Sequence, residues 1–515
     1  METTNPAGLR AALLAGVTNR ATTDEFDLHA ELRAILAPLG LTPEDTGGSI
    51  SFDRLDPLIP SSIRLGAASA LALMQQSVVA AAIWRERTGV GQDISVDLGQ
   101  AIRRLAPASE RRWELINGYP AATADKSISF LVHPQPTGDG RHVVAANVYP
   151  ALKSQMLEAL DCADTPTALR RALTHHTADE LEQMGEAGGF VMAKVRSVQE
   201  FVEEPVFEHL ASKPLIEIER IGDSEPEPFD PFGLAPLSGI RALGMGHVIA
   251  GAGIGRSLAS LGADVLQVWR ATEWEQDALV ATANVGARST RLDVRAPEGQ
   301  QQLHELLRGA DVFFANRRPG LLDSIGMSVD DAIAQRPGLV YVTVSTHGET
   351  GPWANRIGFD QPAGAVTGML AAEGTLEDPK LPPTGIVNDY LVAWLAATGA
   401  MEALRRRARD GGSYKVHISL DRASMWILSL GTLDKNYVRD TVGRGETHQL
   451  IDPQLFRTVT PAGLYQGVTE QVTLSRTPHH YTNVLSPRGA DAPVWLPKPG
   501  PLQGGSFAGT PRPTS

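Results

Sequence analysis

Residues 384–409, TGIVNDYLVAWLAATGAMEALRRRAR, constrain the chain more than any other stretch. They run about six helical turns without a proline. Leu391, Trp394, Leu395, Met401 and Leu404, with the small Thr398 between them, follow the i, i+3, i+4, i+7 spacing of an amphipathic helix. Its last turn is basic, which suits the negative end of the helix dipole, and Gly411-Gly412 stop it. One carboxylate, Asp389, stands where the helix begins. Read alone, it is either an N-cap or a reactive group offered at a helix tip. The same unit recurs upstream as a helix over 65–87, a glycine turn, and the strand DISVDL. A shift of 322 positions pairs Leu73 with Leu395, Arg85 with Arg407, Gly89 with Gly411 and Leu98 with Leu420. It also pairs Asp389 with Ala67, so the first copy lacks the carboxylate.

A chain of 515 residues exceeds one core, and two or three domains are expected. Residues 1–60 form an N-terminal extension, with two short helices around 24–39. Residues 61–104 carry the first long helix and its strand. Residues 105–221 read as a smaller α+β unit, with strands near 128–132 and 142–148 around the hairpin turn TGDGR. The acidic, proline-rich run 222–239 is a linker. From 240 to 430 short strands alternate with helices, which predicts a parallel sheet with right-handed crossovers. Residues 431–515 end the chain, with two or three strands between 437 and 472 and a loose tail from about 486. The fold class is thus α/β, a Rossmann-like parallel sheet with long inter-domain helices and a smaller α+β domain.

The formal charge of −13 argues against nucleic acid or an anionic membrane as partner. Neither a secretory leader nor a membrane span is expected. The single cysteine, Cys162, excludes an internal disulfide and a cysteine metal cluster and fits a reducing cytoplasm. The adjacent His175 and His176 point to different faces of a helix, so no metal is expected there. The glycines of 244–255 do not take the G-x-G-x-x-G spacing, and the second strand ends in Trp269-Arg270 rather than an acid. That disfavours NAD and leaves a phosphorylated adenosine compound open.

PLSGIRALGMGHVIAGAGIGRSLASLGADVLQVWR, TRLDVRAPEGQ, DVFFANRRPGLLDSIGMS, RPGLVYVTVSTHGETGPW, GFDQPAGAVTGML and PTGIVNDYLVAW occur in one order across 236–430. Together they resemble the N-terminal half of the family III CoA-transferases, the CaiB/BaiF group that includes formyl-CoA transferase, carnitine CoA-transferase and α-methylacyl-CoA racemase. Residues 61–230 resemble the remainder of the pattern, and SRTPHHYTNVLSPRGADAP its closing segment. The chain therefore resembles a fused and trimmed double copy.

The resemblance implies a catalytic Asp389 that carries CoA covalently between an acyl-CoA and a carboxylic acid. It implies CoA contacts at His247, Val248, Ala250, Arg270, Leu292, Asp293, Arg295, Asn316, Arg317 and Phe359. CoA enters as substrate, with no tightly bound cofactor and no metal. A cytoplasmic homodimer is the implied assembly. Racemases of this group place a histidine before the aspartate that here is Asp360; this chain has Phe359. Phenylalanine cannot move a proton, so transfer is preferred to racemisation. A CoA-binding relative without turnover is the other alternative, given Ala67 and the trimmed domains. Asp360 either orients groups near Asp389 or caps the next helix.

Overall fold

Seven strands form the central sheet: β1 (Glu217–Gly222), β2 (Arg241–Met245), β3 (Asp264–Trp269), β4 (Arg288–Arg291), β5 (Val312–Ala315), β6 (Val340–Ser345) and β7 (Ser413–Ser419). Their spatial order is β4-β3-β2-β5-β6-β7-β1. The first six are parallel, and β1 joins β7 antiparallel at the edge. This is the doubly wound order with one added strand, and its switch point lies between β2 and β5. The computed structural model describes residues 5–121, 128–231 and 233–498.

Both sheet faces are covered, so β5 and most of β6 are continuous apolar runs rather than alternating ones. Phe314, Val340 and Val342 face the larger core, while Phe313, Ala315 and Tyr341 face a second one on the opposite side. The larger core is built around α1 (Leu65–Thr88) and α4 (Asn388–Asp410), which pack on each other. Between them in sequence come α2 (Ala252–Ser260) and α3 (Asp360–Val366); α5 (Leu420–Ser429) follows β7.

The spacing of α4 predicts a one-faced amphipathic helix, but residues 388–404 are buried all round. The sheet takes one flank, α1 and α2 the others, and small residues let them close in. A Cβ on Gly399 would lie 2.6 Å from a Val416 methyl on β7, so only glycine allows that approach. Helix α1 is, by length and composition, apolar enough to cross a membrane, contrary to the expectation of no such segment; the qualifying window is wholly buried in the protein core.

The 322-residue repeat extends to the caps. Gly89 N–H donates to Arg85 O and Gly411 N–H to Arg407 O, both glycines at positive φ. The first-copy strand Ile94–Asp97 pairs in parallel with Ile50–Asp53, as β7 pairs with β6. The small unit holds the hairpin, but its first strand is Gln135–Pro136, and Ile128–Val132 is helical. There the β-branched composition of ISFLV is overridden by a short helix that buries Leu131 in the unit's own core.

Near the C-terminus, Lys435–Thr441 is a helix, and Leu455–Thr460 with Gly463–Val468 form a hairpin. The run 486–498, expected to be loose, is hydrogen-bonded along the sheet edge. Asp491 accepts from Ser289 N–H, Arg288 donates to Val494 O and Trp495 to Leu306 O. Residues 499–515 of that tail lie outside the described residues.

Candidate active site

The first turn of α4 carries Asp389, 6% exposed. Its carboxylate accepts no hydrogen bond among the described residues, so it is not the cap of its own helix. That task falls to Asp360, at the start of α3, whose Oδ2 accepts from Val387 N–H and Asp389 N–H, both at 2.9 Å. The two acids share one buried environment. Burial pushes Asp389 well above the ordinary carboxylate value, and the charges of Asp360 and Glu275 push it further. Burial also raises Asp360, but its amide donors oppose that. The two acids titrate together, and Asp389 is shifted up the more strongly because no donor offsets its burial. Beside them Asn388 Oδ1 is buried without a partner among the described residues.

At the carboxyl ends of β2, β3 and β5 a second cluster forms, in the crevice where doubly wound sheets hold ligands. The turn after β2 supplies His247 and Val248, the latter at φ 52°. Asn316 fastens that turn, accepting from His247 N–H at 2.7 Å and donating to His247 O at 3.2 Å. A Cβ on Gly251 would lie 2.3 Å from Asn316 Oδ1, so a bare backbone is required there. Arg317 is buried, donates to Met245 O at 2.7 Å and lies against His247 Nε2.

Two carboxylates from the turn after β3 complete this cluster. Glu273 lies 2.5 Å from Arg317 Nη1, 2.5 Å from His247 Nε2 and 3.6 Å from Arg270, and accepts from Arg270 N–H at 3.1 Å. Burial works to raise Glu273, yet His247 and Arg317 hold it far below the ordinary value. Glu275 lies 3.1 Å from His247 Nδ1, accepts from Val248 N–H at 3.2 Å, and accepts from the Tyr149 hydroxyl at 3.0 Å. Tyr149 comes from the small unit. Its ring stacks on Phe359 at 5.8 Å and meets Trp274 edge-on at 5.4 Å.

Of the residues singled out from the sequence, His247, Val248, Arg270, Asn316 and Arg317 meet in this cluster. Phe359 and Asp389 adjoin it through Tyr149 and Glu275. Ala250 and Leu292 are buried in the two cores. Asp293 accepts from Arg295 N–H at 3.1 Å within its own turn, and among the described residues neither forms an ion pair with the cluster. Glu273, Glu275 and Tyr149 were not anticipated. The one local signal was the acid-aromatic-acid triplet Glu273-Trp274-Glu275 just past a strand end.

Behind Tyr390, the neighbour of Asp389, a buried ion network holds the elements in place. Arg256 Nε lies 2.9 Å from Glu470, Arg104 lies 3.3 Å from the other oxygen of Glu470, and Glu114 accepts from Thr282, which reaches the Tyr390 hydroxyl. Burial opposes ionisation of Glu470, but Arg104 and Arg256 hold it at about 2. Two cavities lie apart from Asp389: about 130 Å³ beside Arg87 and Arg407 at the far ends of α1 and α4, and about 150 Å³ beside Glu114.

Comparison with known proteins matches residues 237–480 to the family model for CoA-transferase family III. An acetyl-coenzyme A transferase of Hypoxylon pulicicidum is 31% identical over 41% of this chain and 36% of its own length. A succinyl-CoA–D-citramalate CoA-transferase of Chloroflexus aurantiacus is 34% identical over 36% of this chain and 49% of its own. The chain thus spans roughly a third to a half of the length of these relatives. Among solved structures, a CaiB/BaiF family protein of Brucella suis is 24% identical over 45% of this chain and 65% of its own, with a TM-score of 0.36.

Proposed function

From the match of residues 237–480 to the family model for CoA-transferase family III, we propose that the chain is a member of that family and moves CoA between an acyl-CoA and a carboxylic acid through Asp389. The observation that carries this is a buried carboxylate at a helix start, without a donor of its own, next to a cation cluster at the sheet's switch point. The Asp389 carboxylate attacks the thioester carbonyl; the C–S bond breaks, leaving an acyl-aspartyl anhydride and CoA thiolate. The thiolate then attacks the aspartyl carbonyl, forms aspartyl-CoA and releases the first acid. An incoming carboxylate reverses the two steps. Each replaces one poor exchange by displacement at an activated acyl carbon.

Asp360 positions the nucleophile by fixing Val387 N–H and Asp389 N–H. Arg270 and Arg317 suit the nucleotide phosphates of CoA. Incubation with acyl-CoA followed by hydroxylamine and mass spectrometry is expected to mark Asp389 as the hydroxamate. An unmarked Asp389 in a chain that turns over would overturn the reading.

Racemisation is the second reading. It draws on Glu275, a carboxylate from a separate element whose charge is felt at Asp389. Exchange of the substrate α-proton in D2O, without a mark on Asp389, would select it. The same proposal includes a cytoplasmic homodimer, which light scattering on the purified chain tests.

A further inference from the structure

The cations that would receive a polyanion in this crevice are already engaged. Arg317, His247 and the Arg270 backbone N–H all meet Glu273, and His247, Val248 N–H and the Tyr149 hydroxyl all meet Glu275. Both carboxylates are almost wholly buried, with side chains 4% and 1% exposed. Between them Trp274 lies partly exposed and touches Tyr149. The turn therefore lies against the carboxyl ends of the strands and is pinned on both sides: to the central sheet by its acids, and to the small unit through Tyr149. Any phosphate seated on Arg317 while Glu273 stayed there would put like charges in contact, on a chain already carrying −13.

We propose that residues 271–276 are a carboxylate latch: Glu273 occupies the seat of the CoA diphosphate, and the ligand's phosphates displace it and draw Glu275 away from Asp389. The inference rests on the CoA reading above and adds to it a coupling between ligand entry and the nucleophile. With the latch shut, Glu275 is one of the charges that disfavour an ionised Asp389. With it open, that charge is gone, and the carboxylate becomes available once CoA has arrived. A ligand that must first break these contacts binds more weakly by the cost of opening.

The test is equilibrium binding of free CoA and of inorganic pyrophosphate to the full chain and to Glu273→Gln, which keeps the shape and removes the competing charge. Both ligands are expected to bind the variant about tenfold more tightly. In the unaltered chain each ligand is expected to shift tryptophan emission, and Trp274→Phe to abolish the shift. Equal or weaker binding by Glu273→Gln overturns the latch while leaving transfer through Asp389 intact. Tightened pyrophosphate binding without any CoA binding overturns the CoA reading and keeps the latch. Should Glu273→Gln not fold, hydrogen exchange of amides 271–276 in the unaltered chain decides. Faster exchange on adding pyrophosphate supports the latch, and unchanged exchange overturns it.

Discussion

Helices α1 and α4 begin in the same way and are put to different use. Ala67 N–H donates to Asp56 Oδ2 at 2.8 Å, and Asp389 N–H donates to Asp360 Oδ2 at 2.9 Å. The two donors are 322 positions apart, so the carboxylate that caps the helix is present in both copies. The carboxylate that could react is present in one. Around Asp389 stand Glu275, Tyr149 and the strand-end cations of a seven-stranded sheet. Among the described residues the first copy has a parallel pair of strands, Ile50–Asp53 and Ile94–Asp97, joined by Thr473–Leu474. Capping and reactivity are therefore separable: an N–H acceptor builds the helix start, and a second, unpaired acid turns it into a site.

The sharpest way to break this comparison is at Asp389. Asp389→Ala is expected to lose roughly 10⁴-fold or more in CoA exchange, as removal of a covalent nucleophile does, with little change in CoA affinity. Steady-state exchange and equilibrium binding measured together check it. The converse, Ala67→Asp, places an unpaired carboxylate at a position 1% exposed, beside Asp56. It is expected to cost about 3 kcal/mol or more and to confer no second activity, read by denaturant unfolding.

Removing either cap tests whether they are equivalent. Asp56→Ala and Asp360→Ala are each expected to destabilise by about 1–3 kcal/mol, and only the second to lower turnover. A third variant, Asp389→Asn, probes the buried charge. Because the folded value is raised, the folded chain holds a proton that the unfolded chain has lost. The stability tied to that proton is full below the ordinary carboxylate value, about 4, and falls as pH rises toward the folded value. Asp389→Asn is therefore expected to gain roughly 1–3 kcal/mol at pH 8, with the gain vanishing near pH 4 in thermal melts. The smallest effect belongs to the far ends of the two helices. Arg405 on α4 meets Glu86 on α1 and also Glu402 of its own helix. Glu86→Gln is expected to cost about 0.5 kcal/mol or less, because Glu86 is half exposed.

Much of the site was legible because its residues follow strand ends or a helix start. His247, Arg270, Asn316 and Arg317 each come directly after an apolar run, and a parallel sheet brings the carboxyl ends of its strands together. Glu273, Glu275 and Tyr149 could not be read the same way. Tyr149 and Glu275 are 126 positions apart and meet only because the small unit folds back over the crevice. Composition also misjudged two segments. ISFLV became helical to bury Leu131, and the run before residue 499 is held by hydrogen bonds from Arg288, Ser289 and Trp495.

By itself the sequence determined the periodic elements, the repeat, and the one carboxylate missing from its first copy, since these depend on side-chain spacing and local caps. Tertiary structure alone decided which acids face one another. A carboxylate's role depends on what surrounds it: Asp360 is a cap because two amides point at it, and Asp389 is pushed toward its neutral form because burial and two neighbouring acids disfavour its charge.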